Sequence, residues 1–335
     1  VHAWGEIYTG ISAKDYMDGT SNFYGVHSVT LYVDSVQVFN STTDKVLPDE
    51  NRMINGFTDY EELTRTRRLI MRSYKLPGNR LRLLHTNENR GVVTIDEERD
   101  YHFRYVLEDN FGNRRTYQFI VKGKRQDIPE YKPEANEMLY WNRTNVIQKP
   151  GMELVVPRYY VYEDVPLRTD MRGDSSHIAF DYILDAGRTP IHSYCDLSIG
   201  LRHMPVADTT KYYIVQKAGK WRSSMGGKYA NGWIKTRVRS LGTFSVDVDT
   251  IAPQITPIGQ GGWRTSRNIR FRIKDMESGI GSYKVYIDGK FVLFGLKKGI
   301  LVIQNPEKVK KGVSHKLEVT VTDQCGNMTR KEYKF

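Results

Sequence analysis

The sequence predicts an all-β protein made of three tandem β-sandwich units. Three observations support this: the length of 335 residues, short alternating runs of β-forming residues, and a residue pattern that occurs twice. A single hydrophobic core rarely grows beyond roughly 250 residues, so several units are expected. Hydrophobic residues at 39% and aromatic residues at 12% suffice to fill their cores. The 22 tyrosines, with recurrent Val and Thr, favour strands over helices.

The repeated pattern lies at the two ends of the chain. The matching pairs are residues 11–15 and 271–275, 25–34 and 279–288, and 103–113 and 317–327. The pairs agree in residue type and in order along the chain. Self-similarity of this kind indicates one structural module present twice.

The residues of this module predict strands and tight turns. Val29, Leu31 and Val33 alternate with polar neighbours, which is the pattern of a strand with one buried face. Asp288-Gly289 between two such runs is a strong hairpin signal. The segments 109–113 and 323–327 share Asp at the first position, Gly at the fourth and Asn at the fifth, which is typical of a capped turn. Together these features favour an immunoglobulin-like sandwich.

We therefore place an immunoglobulin-like unit at residues 1–123, a distinct sandwich at 124–248, and a repeat of the first unit at 249–335. Residues 48–76 are an insertion that only the first copy carries. Within it, Asp59 is expected to cap one helix of about four turns, which ends before Pro77-Gly78. The proline-bearing segment 126–137 predicts an exposed linker, and residues 249–253 predict a short hinge.

The net charge of +11 raises the question of an acidic partner. The densest basic groups, residues 65–68 and 308–311, are short, and no zinc finger or aromatic RNA-binding pattern accompanies them. We therefore expect no nucleic acid partner. The absence of an apolar run of 18 residues also predicts that no segment spans a membrane.

The sequence offers no convincing catalytic or metal-binding constellation. None of the eight histidines forms a His-x-His or His-Glu-x-x-His pair, and His192 with Asp196 is a weak match that we interpret as structural. Cys195 and Cys325 are interpreted as small buried residues. We predict no catalytic residue and no cofactor in this chain. Three Asp-rich turns are weak calcium candidates, for which turn capping is the favoured interpretation: Asp15 with Asp18, Asp275 with Glu277, and Asp323 with Asn327.

Aromatic side chains are the remaining candidates for binding. Apolar faces of sugars pack on aromatic rings, so exposed tryptophans are candidates for a glycan surface. The alternative, which we favour, is that they fill cores. The candidates are Trp141, Trp221, Trp233 and Trp263, with Tyr159 and Tyr160 beside them.

Residues 10–19, 24–29, 49–52 and 95–105 resemble the region downstream of the catalytic domain in envelope lysostaphin-type zinc metallopeptidases. Residues 226–233 and 249–253 are similar to the same tail. The resemblance implies a periplasmic or outer-membrane-associated location and a parent enzyme that acts on peptidoglycan. It also implies that zinc belongs to a catalytic domain upstream of Val1.

The leading hypothesis is a non-catalytic region that positions or docks this cell-wall peptidase. Its expected partners are the upstream peptidase domain or other envelope proteins, and peptidoglycan or another glycan. One alternative is an independent cell-surface glycan-binding or adhesion module. Another is an active zinc peptidase with an unrecognised site.

Overall fold

The structure is a computed structural model, and it describes residues 1–17, 19–130, 132–266, 268–304 and 313–335. The prediction of an all-β protein with tandem β-sandwiches is confirmed. Within the described ranges, no strand pairs across residues 124–136 or 249–253. We call the three groups of sheets the N-terminal, central and C-terminal sandwiches; their exact limits stay a prediction. No described helix is long and apolar enough to cross a membrane.

The N-terminal sandwich is built on a six-stranded sheet of order β1-β12-β11-β6-β7-β9. Short pairs β10-β2, β3-β8 and β4-β5 flank it. Its strands are β1 (His2–Ala3), β2 (Gly5–Ile7), β3 (Gly10–Ile11), β4 (Asp15–Tyr16), β5 (Phe23–Tyr24), β6 (Ser28–Val33), β7 (Val36–Thr42), β8 (Met71–Arg72), β9 (Leu84–Thr86), β10 (Val93–Ile95), β11 (Asp100–Glu108) and β12 (Arg114–Gly123). The alternation of β6 buries Val29, Leu31 and Val33, as its sequence predicts.

The insertion contains three short helical segments, so the prediction of one helix of about four turns is wrong. They are a 3-10 turn (Asn51–Met53), α1 (Ile54–Phe57) and α2 (Tyr60–Thr66). The capping prediction is correct, because the Glu62 N–H donates to the Asp59 carboxylate at 3.0 Å. Arg67 then takes a left-handed conformation with φ of 67°, which ends α2. Of the apolar residues beyond it, Leu69 and Ile70 lie outside any helix, and Met71 pairs with Ile11.

The central sandwich packs a six-stranded sheet of order β13-β16-β17-β23-β19-β20 on a five-stranded sheet of order β14-β15-β18-β22-β21. Its strands are β13 (Glu137–Leu139), β14 (Asn145–Lys149), β15 (Met152–Val156), β16 (Val165–Arg172), β17 (Asp181–Asp185), β18 (Cys195–Gly200), β19 (Tyr212–Ala218), β20 (Trp221–Ser224), β21 (Lys228–Ala230), β22 (Trp233–Val238) and β23 (Gly242–Val248). A 3-10 turn (Thr209–Lys211) precedes β19. Leu154, Tyr182, Leu197 and Phe244 lie at the centre of the core between the sheets.

The C-terminal sandwich has two four-stranded sheets of order β24-β25-β29-β28 and β27-β26-β30-β31. Its strands are β24 (Gln254–Ile258), β25 (Asn268–Lys274), β26 (Ile280–Ile287), β27 (Lys290–Phe291), β28 (Phe294–Lys297), β29 (Ile300–Gln304), β30 (Lys316–Asp323) and β31 (Met328–Lys334), with a 3-10 turn (Gln260–Gly262) after β24. The basic group 308–311 lies outside the described residues.

The two ends of the chain place matching residues in matching positions. Asp34, in the turn of one hairpin, exchanges two hydrogen bonds with His102 on the opposite strand. Asp288, in the equivalent turn, exchanges the same two hydrogen bonds with Lys316. In each case the Asp N–H donates to the opposing carbonyl, and the Asp carboxylate accepts the same residue's N–H. The registers correspond as well, since Val33 pairs with Phe103 and Ile287 pairs with Leu317.

The N-terminal and central sandwiches meet around Tyr162. This residue belongs to the central segment, but its side chain is part of the N-terminal core and is 3% exposed. Its hydroxyl donates to the Arg52 carbonyl at 2.8 Å, and its carbonyl accepts the Gly78 N–H at 2.7 Å. A Cβ at Gly56 would lie 2.8 Å from the Tyr162 ring, so only glycine permits this approach.

The central and C-terminal sandwiches meet around Asp249, which is fully buried. Its N–H donates to the Lys211 carbonyl, and its carboxylate accepts the Ser278 N–H. Tyr213 and Cys325 pack together in a small apolar cluster at the same junction. Residues 249–253, predicted to be a hinge, are therefore bonded at Asp249 to both neighbouring units.

Candidate functional site

The four candidate tryptophans do not form one platform. Trp263 is 2% exposed, and its indole N–H donates to the Ile258 carbonyl at 2.8 Å. Its ring contacts Phe271 and Tyr333 edge-on in the C-terminal core. The candidate role of Trp263 in a binding surface was therefore wrong, because its ring lies in the core.

Trp221 lies on the edge strand β20 and is 81% exposed. It pairs with Ala218 across the strand, and within the described part of the chain no other aromatic ring contacts it. A single exposed ring on a sheet edge is an ordinary surface feature, so Trp221 alone does not define a site.

Trp233 begins β22, on the outer face of the five-stranded sheet. Its ring lies over Gly200 on the neighbouring strand, where an added Cβ would be 3.6 Å from two ring atoms. Lys235 and Arg237 follow at the two-residue spacing of one strand face and are exposed. Lys228 on β21 pairs with Lys235. We call Trp233, Lys235, Arg237 and Lys228 the Trp233 face.

A groove of about 670 Å³ runs along the polar part of this face. Its walls include Lys228, Lys235 and Arg237 on one side, and the carboxylates of Glu153 and Asp196 on the other. The face therefore combines one flat aromatic ring with hydrogen-bonding groups of both charges. Such a combination is suited to a polar ligand that also has an apolar face.

Trp141 lies at a different place, beside the junction of the N-terminal and central sandwiches. Its ring centre is 6.0 Å from that of Tyr159. The guanidinium groups of Arg80 and Arg158 lie 4.6 Å and 4.5 Å from the centre of the Tyr159 ring. We call these four residues the Tyr159 patch. Tyr160, the other tyrosine candidate, instead packs edge-on against His192.

His192 is a structural residue of the same junction. Its Nδ1 lies 3.0 Å from the Tyr162 hydroxyl, and its carbonyl accepts the Arg52 Nε–H at 2.8 Å. Burial, together with the positive charges of Arg80 and Arg52, lowers the pKa of His192. Among the described residues, His192 and Asp196 do not belong to any cluster of three ligating side chains.

Three carboxylates come together at the second junction. Ligand atoms of Asp249, Asp275 and Asp323 lie within 4.8 Å of one another. Their oxygens already accept backbone hydrogen bonds, for example from Ser278 to Asp249 and from Gly279 to Asp275. These bonds explain the positions of the three carboxylates, and the calcium roles of Asp275 and Asp323 stay predictions.

The other calcium candidates are dispersed. Asp15 pairs with Tyr24 in the β4-β5 hairpin, and Glu277 accepts a hydrogen bond from the Tyr213 hydroxyl at 3.4 Å. Neither belongs to a cluster of three ligating side chains in the described part of the chain. Asp18 lies outside the described residues.

Comparison with known proteins assigns a family model to the central sandwich alone. Residues 136–249 match the Zu5-like domain, which covers less than half of the chain. No curated protein matches the chain. The resemblance of the sequence to the tail of lysostaphin-type peptidases stays a prediction.

Several solved structures show distant similarity. A Ca²⁺-stabilised adhesin with which an Antarctic bacterium binds ice is 11% identical, with a TM-score of 0.18, over 98% of this chain and 93% of that one. The SGBP-B protein of the mixed-linkage glucan utilisation locus of Bacteroides ovatus is 11% identical, with a TM-score of 0.16, over 92% and 59%. Four cadherin domains of protocadherin gamma B7 are 11% identical, with a TM-score of 0.19, over 100% and 73%. TM-scores this low carry no functional argument.

Proposed function

We propose that this chain is a non-catalytic binding region of a cell surface or cell envelope, and that its central sandwich binds a glycan through the Trp233 face. The observation that carries the proposal is the position of the Trp233 ring over Gly200, in line with Lys235 and Arg237. This proposal corresponds to the alternative of an independent glycan-binding or adhesion module.

The chemistry of the face supports a sugar ligand. The apolar face of a pyranose ring packs on an indole ring, while its hydroxyl groups need both donors and acceptors. Lys235 and Arg237 supply donors, and Glu153 and Asp196 supply acceptors along the same groove. The distance along a strand from residue 233 to residue 237 is about 13 Å, which accommodates more than one sugar unit.

The experiment measures binding of the purified chain by titration calorimetry to soluble β-glucan oligosaccharides and to muropeptides released from peptidoglycan. We expect one of these probes to bind and Trp233→Ala to weaken its affinity by about tenfold, which equals about 1.4 kcal/mol. Trp221→Ala is the matched control, because it removes an exposed tryptophan of the same sandwich that lies off the face.

Circular dichroism must show that both variants fold. Equal affinity of the wild type and Trp233→Ala would refute the proposal, as would an equal loss in Trp221→Ala. Binding of muropeptides alone would connect the chain with peptidoglycan, and binding of glucans alone would separate it from a wall peptidase.

A further inference from the structure

The Tyr159 patch holds two arginines that form no ion pair with any of the described residues. The guanidinium groups of Arg80 and Arg158 lie within 4.6 Å of one ring centre, and both side chains are exposed. No carboxylate of the described residues lies within ion-pair distance of either one. Because like charges near one ring raise the local positive potential, an anionic ligand at the patch would be favoured.

The charges around the patch are also mostly positive. Arg52 lies close enough to lower the pKa of His192 together with Arg80, and its guanidinium donates to the carbonyl groups of His192 and Ile191. Asp49 acts on His192 in the opposite direction. Asp164 is the other nearby acid, and its carboxylate accepts the Trp141 N–H at 3.2 Å. In the described part of the chain, neither Asp49 nor Asp164 forms an ion pair with Arg80 or Arg158.

The backbone holds Tyr159 in an unusual conformation. Its φ is 67°, in the left-handed region that a bulky residue rarely occupies. Its N–H donates to the Trp141 carbonyl at 2.9 Å, which fixes the ring beside Trp141. Because guanidinium groups stack on aromatic rings, the fixed ring holds both arginines while their N–H edges stay available.

We propose that the Tyr159 patch is a second binding site, separate from the Trp233 face, and that it takes an acidic polysaccharide whose sugars carry carboxylate groups. Planar guanidinium groups bind carboxylates with two parallel hydrogen bonds. Trp141 is half-buried against the central core, and the exposed part of its ring is available to the apolar face of an adjoining sugar. Arg80 comes from the N-terminal sandwich and the other three residues from the central one, so the site exists only when the two sandwiches are docked.

The test compares polygalacturonate with its fully methyl-esterified form, which has the same sugars without the charge. We expect the chain to bind polygalacturonate and to bind the ester at least about tenfold more weakly, since the guanidinium groups lose their charged acceptors. The double variant Arg80→Gln and Arg158→Gln should lose at least about tenfold in affinity for polygalacturonate, with binding to the esterified form unchanged.

The double variant Arg115→Gln and Lys122→Gln is the charge-matched control, because both are exposed basic residues of β12 outside the patch. Trp233→Ala should leave polygalacturonate binding unchanged. The Tyr159 patch and the glycan function of the Trp233 face can therefore fail independently of each other. The site is refuted if polygalacturonate does not bind at low salt or if the esterified form binds equally well. An equal loss of polygalacturonate affinity in the charge-matched control would show non-specific attraction to polyanions instead. So would an affinity for double-stranded DNA equal to that for polygalacturonate.

Discussion

Asp109 and Asp323 occupy the same position in the two copies of the module, and their surroundings shift their pKa values in opposite directions. Each carboxylate accepts the N–H of the Asn four residues later and that residue's side-chain amide. At Asp109, which is accessible to solvent, the hydrogen bonds from Asn113 lower the pKa. At Asp323, which is 4% exposed, burial raises the pKa and the nearby charge of Asp249 adds to the effect.

We therefore predict opposite contributions to stability as the pH changes. The contribution of Asp109 is present above its unfolded pKa and is lost as the pH falls through its lower folded pKa. Asp323 binds its proton more tightly in the folded state, so its contribution is largest in acid and is lost as the pH rises through its folded pKa. A carboxyl-carbon NMR titration would measure both pKa values, with Asp109 below and Asp323 above the ordinary aspartate pKa of 3.8. Shifts of the same sign would contradict the prediction.

Local chemistry could be predicted from the sequence at single residues, but the surroundings of the side chains could not. The Asp-to-Asn turns follow from their own five residues, and so does the cap at Asp59. Whether Trp263 is buried or exposed depends on strands far away in sequence. The position of the Trp233 ring over Gly200 depends on a strand register that local sequence does not determine.

At the scale of elements, the two equivalent hairpins differ in one turn residue. The turn after β6 has Asp34 and Ser35 with φ of 49° and 70°, and the turn after β26 has Asp288 and Gly289 with φ of 49° and 75°. Positive φ at both central residues is the geometry of a type I′ turn, which favours glycine at the second position. Ser35 therefore carries a conformational cost that Gly289 avoids.

We predict that Ser35→Gly stabilises the chain by about 0.5–1 kcal/mol. The reason is that a residue with a side chain pays a conformational cost in the left-handed region, and glycine does not. Gly289→Ser should destabilise by a similar amount, and it is the reciprocal control. Urea denaturation followed by circular dichroism measures both. A destabilising Ser35→Gly would show that the serine makes a compensating interaction.

The insertion shows why element lengths are harder to predict than element starts. The cap at Asp59 depends on a local hydrogen bond, so it was predictable. The end of α2 depends on Arg67 adopting a left-handed conformation and on Met71 pairing with Ile11, which lies 60 residues earlier. Long-range pairing outweighed the helical spacing of Leu69 and Ile70.

At the scale of the whole molecule, the sandwiches share residues at their junctions. A β-sandwich in the central segment could be predicted from the sequence, but its contribution of Tyr162 to the N-terminal core could not. Nothing in the local sequence of Tyr162 distinguishes burial in its own core from burial in a neighbouring one. The close approach is visible only once Gly56 and Gly78 are placed against it.

This shared residue predicts that the N-terminal and central sandwiches unfold together. Tyr162→Ala removes a buried aromatic side chain and should cost about 3–5 kcal/mol, while Tyr162→Phe, which loses the hydrogen bond to the Arg52 carbonyl, should cost about 1 kcal/mol. In differential scanning calorimetry, the wild type should show one unfolding transition for the N-terminal and central sandwiches together. Tyr162→Ala should show two separate transitions. Tyr182→Ala is the control, because Tyr182 is equally buried but lies in the central core alone. It should lower the transition temperature without separating the transition, and the prediction is wrong if the two alanine variants give the same profile.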